Sequence, residues 1–164
     1  MLSLPLANHE TTQALGFFIG ERMQAGDSVA ARGDLGAGKT CLAQGVASGL
    51  GVPADHYVNS PTFSILQIHP GRVPFFHMDL YRIGDEEELL GLGLDECFEG
   101  TGVAYVEWPD RVPGLLPKDA LAIELEIRGA SRIIHLRSEG GDPCRLLELL
   151  CKDAHLFQSP VDNE

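Results

Sequence analysis

The segment Gly33-Asp34-Leu35-Gly36-Ala37-Gly38-Lys39-Thr40 constrains this chain more than any other. It fits the pattern Gly, four residues, Gly, Lys, then Ser or Thr, in which backbone wraps a polyphosphate. Such a loop works between a strand and a helix, and both neighbours suit. Ser28-Val29-Ala30-Ala31-Arg32 reads as the strand that feeds it, and Cys41 to Leu50 as the helix that follows, stopped by Gly51 and Pro53. Glycines accept φ values that other residues resist, so the wrapped loop aims several N–H groups at phosphate oxygens. The positive end of the helix dipole adds to that attraction. The cradle expected for the nucleotide is thus Gly33, Asp34, Leu35, Gly36, Ala37, Gly38, Lys39, Thr40 and Cys41. Within it, Lys39 should reach the β- and γ-phosphates, and the Thr40 hydroxyl should ligate Mg²⁺.

Composition sizes the chance of accident. With 19 Gly, 3 Lys and 13 Ser or Thr in 164 residues, shuffled chains would show this pattern roughly three times per thousand. The length suits one domain with a substantial core, here placed at residues 1–157, with 158–164 as a loose tail. A net charge of −12 repels nucleic-acid phosphates, so tight direct binding to RNA or DNA is not expected without a basic partner. The opening stretch Met1 to Leu6 lacks the basic start and long apolar run of a signal peptide, and no apolar run is long enough to span a membrane. The expectation is a cytoplasmic protein. Cys41, Cys97, Cys144 and Cys151 show neither Cys-x-x-Cys nor zinc-type spacing, which fits reduced thiols. Cys41 follows the loop at a helix N-terminus, where thiol pKa tends to fall, although a buried, inert residue fits the position better.

Elsewhere the periodicities alternate. His9 to Met23 reads as a helix with Ala14, Leu15, Phe18, Ile19 and Met23 on one side. Ser64 to Ile68 and Val73 to Asp79 read as strands around a Pro70-Gly71 turn. Glu86 to Gly91 and Leu94 to Phe98 suit short helical turns, and Val103 to Val106 a buried strand ending at Glu107-Trp108. Leu121 to Ile127 and Ile133 to Arg137 alternate around Gly129-Ala130-Ser131, a hairpin, before a last leucine-rich helix. The pattern implies an α/β fold of the P-loop NTPase type, a sandwich with a central mixed, mostly parallel sheet and a C-terminal antiparallel hairpin.

A phosphate loop needs a carboxylate on the metal side, usually at the end of an apolar strand. Glu107 and Asp79 both close such strands, at the edge where open α/β sheets bind ligands. Glu107 can hold Mg²⁺ directly or through water, and Asp79 can hold the metal's outer shell or orient the attacking water. A strand-end carboxylate alone is more often a cap or salt bridge; two beside a phosphate loop favour catalysis. Ser60-Pro61-Thr62 can bring a hydroxyl to the γ-phosphate as a switch, or simply turn the chain. Arg82 suits a charge stabiliser or an exposed structural residue equally. His77 reads as a packed core histidine, and Trp108 as a core contact with partial exposure.

Taken in order, Asp34-Leu35-Gly36-Ala37-Gly38-Lys39-Thr40, Ser60-Pro61-Thr62-Phe63, His77-Met78-Asp79-Leu80-Tyr81-Arg82 and Glu107-Trp108-Pro109 resemble the TsaE (YjeE) family over roughly Glu10 to Val112. That resemblance implies a compact P-loop ATPase of bacterial tRNA threonylcarbamoyladenosine biosynthesis. It implies the transferase subunits TsaD and TsaB as partners, with ATP hydrolysis keeping that complex cycling on adenosine 37. It further implies Thr40 and Glu107 for Mg²⁺, Lys39 for the phosphates, Asp79 for metal or water, Thr62 as the switch hydroxyl, and Thr12 near the adenine. Cys41 and Gln44 stand where the family commonly has Thr and Arg, a change that spares the cradle but bears on partner contact.

Three functions share these features: an ATPase driving a tRNA-modifying complex, a small-molecule kinase, and a nucleotide-gated binding module. A kinase usually carries several lid arginines, and no such cluster stands out. The guanine signature Asn-Lys-x-Asp does not occur. No arginine finger is evident, so the isolated chain should hydrolyse ATP slowly and depend on its partners for stimulation.

Overall fold

The structure, a computed structural model, describes residues 1–157; the tail expected at 158–164 lies outside them. Its frame is one seven-stranded mixed sheet in the order β1-β7-β6-β2-β5-β4-β3. The strands are β1 (Leu2–Leu6), β2 (Ser28–Gly33), β3 (Leu66–His69), β4 (Phe75–Asp79), β5 (Val103–Glu107), β6 (Leu121–Arg128) and β7 (Ser131–Ser138). The α-helices are α1 (His9–Arg22), α2 (Lys39–Gly49), α3 (Glu86–Gly91) and α4 (Arg145–Asp153). Parallel pairing is confined to the four middle strands, β6-β2, β2-β5 and β5-β4. Antiparallel pairs flank them, with β3 on β4 at one side and the β6–β7 hairpin with β1 at the other. The two kinds of pairing are therefore equal in number, and the parallel part is the centre that presents the site.

Successive residues of each strand face opposite layers, and the core divides accordingly. Phe75, Tyr105, Val29 and Ala31 join Leu15, Leu42, Val46 and Leu147 from α1, α2 and α4 on one face. Phe76, Met78, Ala104 and Val106 join Leu89 and Leu94 on the other. Helix α1 begins in a capping box, with Asn8 Oδ1 accepting from the Thr11 N–H and Thr11 Oγ1 accepting from the Asn8 N–H. It lies against α2 closely enough that a Cβ at Gly16 would stand 2.4 Å from the Leu42 carbonyl oxygen, and one at Gly45 2.3 Å from that of Gln13.

Two strand starts differ from the sequence pattern, while Leu94–Phe98 keeps its expected bounds. β3 begins at Leu66 rather than Ser64, because Ile65 has φ 66° and its N–H closes a turn onto the Pro61 carbonyl. β4 begins at Phe75, after Pro74, which has no N–H to give a ladder. Leu94–Phe98 is a 3₁₀ turn. β1 is an addition: Leu4 and Leu6 are buried while Ser3 and Pro5 are exposed, and the strand pairs with β7 at the sheet edge. Among the described residues no helix is long and apolar enough to cross a membrane.

Candidate nucleotide site

The phosphate loop leaves β2 at Gly33 and enters α2 at Lys39. Gly38, the N-cap of α2, has φ 111° and offers no side chain to cap the helix. The N–H groups of the first turn thus keep their capacity for an outside acceptor, the condition that suits an anion. Lys39 Nζ donates to the carbonyls of Gly33 at 2.6 Å and Asp34 at 2.9 Å and stands 4.1 Å from the centre of the Trp108 ring. Burial pulls its pKa below the ordinary lysine value, against the opposing pull of Glu107, Asp79 and Asp34. Behind it, the buried Tyr105 hydroxyl donates to the Lys39 carbonyl at 2.7 Å. Burial first, then Glu107 and Cys41, raise the phenol's pKa well above normal, which keeps that donor proton in place.

Glu107 and Asp79 close neighbouring parallel strands and stand in register with each other. Both side chains face the layer of α2, and both residues are buried, at 2% and 3% exposure. Glu107 accepts from the Thr40 hydroxyl at 3.1 and 3.3 Å to its two oxygens. Its Oε1 also lies 2.8 Å from Nε2 of the fully buried His77; a carboxylate partner assigns the proton to Nε2. Asp79 instead accepts from the Ser60 hydroxyl, from Thr62 Oγ1 at 3.3 Å, and from the Tyr81 N–H at 2.9 Å. The two carboxylates, Lys39, Thr40, Thr62 and Trp108 line one cleft of about 550 Å³.

Positive φ values mark both borders of this cleft. Trp108, directly after Glu107, has φ 58°, and Ile65, just past the Ser60–Thr62 segment, has φ 66°. Residues with a Cβ pay on the order of 1–3 kcal/mol for such backbone, and these outliers concentrate at functional sites. Trp108 is held there by its N–H to the Ala31 carbonyl at 3.3 Å, and its ring lies 5.1 Å from that of Tyr81. The adjoining Asp110 is gripped by Arg32, which also forms a two-pronged pair with Glu139.

The remaining expectations divide. Thr12 is buried, gives its hydroxyl to the Asn8 carbonyl, and lines a separate cavity of about 160 Å³ on the far side of the loop, shared with Gly36, Gly38 and Cys41. Burial and Glu10 push the Cys41 thiol up to about 11, so desolvation outweighs the helix N-terminus. Arg82 stacks on exposed Phe63 at 4.2 Å and does not line the cleft. Gln44 bonds Gln13 and the Val58 carbonyl. Sequence reasoning missed Ser60 as the closer hydroxyl on Asp79, and it missed His77 as the partner of Glu107. The alternation rule held the clue to the second: His77 and Asp79 share one face of β4.

Known proteins resemble this chain over most of its length. A family model described as "Threonylcarbamoyl adenosine biosynthesis protein TsaE" matches residues 6–134, beyond the motifs and into the hairpin. The tRNA threonylcarbamoyladenosine biosynthesis protein TsaE of Treponema pallidum is 38% identical over 118 residues, which cover 72% of this chain and 86% of that protein. Its namesake from Bacillus subtilis is 43% identical over 123 residues, covering 74% and 75%. The crystal structure of Bacillus subtilis YdiB superposes with a TM-score of 0.76 at 33% identity and covers 94% of each chain.

Proposed function

The chain belongs to the TsaE family, and on that premise we propose that it is a Mg²⁺-dependent ATPase that acts on the TsaD–TsaB transferase in the cytoplasm. Membership in the family supports a role in tRNA threonylcarbamoyladenosine biosynthesis. The observation that carries the finer reading is the meeting of Thr40 with Glu107 beside the glycine-rich loop. Hydroxyl and carboxylate oxygens, with a second carboxylate one strand away, are the hard donors that Mg²⁺ takes alongside phosphate and water. Thr40 and Glu107 would hold the ion, with Asp79 in its outer shell or on the attacking water. When bound, Mg²⁺ neutralises charge on the β- and γ-phosphate oxygens.

The chain's own groups do the rest. The loop N–H groups and Lys39 bind the phosphates, and Lys39 exchanges its two carbonyl partners for phosphate oxygens. Glu107 keeps Thr40 oriented, and His77 fixes Glu107 in turn. Asp79, buttressed by Ser60 and Thr62, aims a water in line with the γ-phosphate, and the two hydroxyls link that water's position to the segment before β3. Among the described residues no arginine lines the cleft, which favours a slow ATPase over a kinase and leaves charge stabilisation to a partner. ATP turnover measured with and without TsaD and TsaB tests this. Stimulation by the pair is expected; turnover that the pair leaves unchanged, or phosphorylation of a small acceptor, overturns it.

A further inference from the structure

The hairpin carries no sequence motif, yet its second strand reaches the phosphate loop from behind. Arg132, in β7, donates from Nε to the Ala37 carbonyl at 3.2 Å and from Nη2 to the Gly36 carbonyl at 3.4 Å. Nη1 donates to the Ser131 carbonyl at 2.9 Å, which fixes the plane of the guanidinium. In a trans peptide the carbonyl and the following N–H point to opposite sides. Drawing the Ala37 carbonyl toward Arg132 therefore turns the Gly38 N–H away from it, toward the cleft that Lys39 and Thr40 line. Gly38, at φ 111°, is a residue whose backbone would otherwise be free to turn. The neighbouring peptide is secured within the loop, where the Ala37 N–H donates to the Asp34 carbonyl at 3.0 Å. The first hairpin strand braces the loop's other end: β6 pairs Leu125 with Gly33, and a Cβ on Gly33 would stand 2.6 Å from the Leu125 carbonyl oxygen.

We propose that Arg132 is a positioning residue for the phosphate loop, holding the Gly36 and Ala37 carbonyls outward so that the Gly38 N–H faces the triphosphate. This rests on the nucleotide reading above. The rival role is direct contact with the adenosine moiety, since Arg132 borders the smaller cavity that Thr12 lines. Inorganic tripolyphosphate separates the two, because it needs the loop but has no ribose or base.

The experiment titrates the full chain and its Arg132→Gln and Arg132→Lys variants with ATP and with tripolyphosphate, both with Mg²⁺, by calorimetry. Steady-state ATP turnover and ligand-free melting are measured alongside. Arg132→Gln should weaken both ligands by the same factor, about tenfold, the loss of one charge-assisted hydrogen bond. KM should rise while kcat at saturation stays within about twofold, as for an interaction shared by ground and transition states. Arg132→Lys, which keeps the charge but not the fork, should recover part of the affinity; it carries the comparison if Arg132→Gln melts early. Unchanged affinity for both ligands overturns the positioning role alone, as does a loss confined to ATP. Wild-type protein that binds neither ligand overturns the nucleotide reading and this proposal with it.

Discussion

Glu107 and Asp79 occupy equivalent places, the last residues of adjacent parallel strands in register, and yet they lean on different parts of the molecule. Glu107 is tied to rigid neighbours: the first turn of α2 through Thr40, and the buried ring of His77. Asp79 is tied to Ser60 and Thr62, on a segment with no regular structure that ends in the left-handed Ile65. The difference teaches that one acid is anchored to a helix and a buried ring while the other is anchored to a loop. A sheet edge supplies both positions at the same height, and only the surroundings assign them separate work.

The sharpest way to break that contrast is a pair of isosteric changes. Glu107→Gln should lower ATP turnover by about a hundredfold or more, as expected when the cation that would neutralise transition-state charge loses a carboxylate that holds it, while leaving ATP bound. Asp79→Asn should cost less, on the order of tenfold, as expected for a group that orients water. Single-turnover rates and calorimetric affinities on the two variants check both. Wild-type hydrolysis in Glu107→Gln, with the large loss in Asp79→Asn, would exchange their roles. A smaller effect sharpens the picture: Ser60→Ala with Thr62→Ala should reduce the basal rate by about twofold and partner-stimulated turnover by about fivefold, within the roughly thirtyfold ceiling set by two hydrogen bonds of about 1 kcal/mol each. Equal losses in both rates would make the two hydroxyls mere supports for Asp79.

The smallest effect probes the rigid side. A thiol whose pKa is raised to about 11 has a smaller thiolate fraction at pH 8 than an ordinary one. Cys41 should therefore react with iodoacetamide more slowly than exposed Cys151 at that pH, and its rate should climb as pH approaches 11. Residue-resolved mass spectrometry follows both sites. Fast labelling of Cys41 at pH 8 would mean that the start of α2 opens readily to solvent.

The phosphate loop and its flanking strand and helix were legible because they combine a rare residue pattern with two clear periodicities, and the paired strand-end acids followed from the same logic. What escaped was information held across strands or in single dihedrals. His77 meets Glu107 only because β4 and β5 lie side by side. Ile65 leaves the extended region through a turn that its apolar neighbours disguise. β1 alternates plainly at Leu2, Leu4 and Leu6, but Pro5 in its middle argues against a strand until the edge position is known. Arg132 is one charged residue on a hairpin, and only the folded sheet brings it behind the loop.

The helix that starts at Lys39 shares its inner surface with α1, and Gly16 and Gly45 leave no room there even for a methyl group. Two rods in backbone contact cannot slide independently. Whatever displaces the start of α2 would therefore press on α1 as well, whose N-cap Asn8 follows the edge strand β1. The glycine seam thus makes the two helices one mechanical unit between the glycine-rich loop and the edge of the sheet.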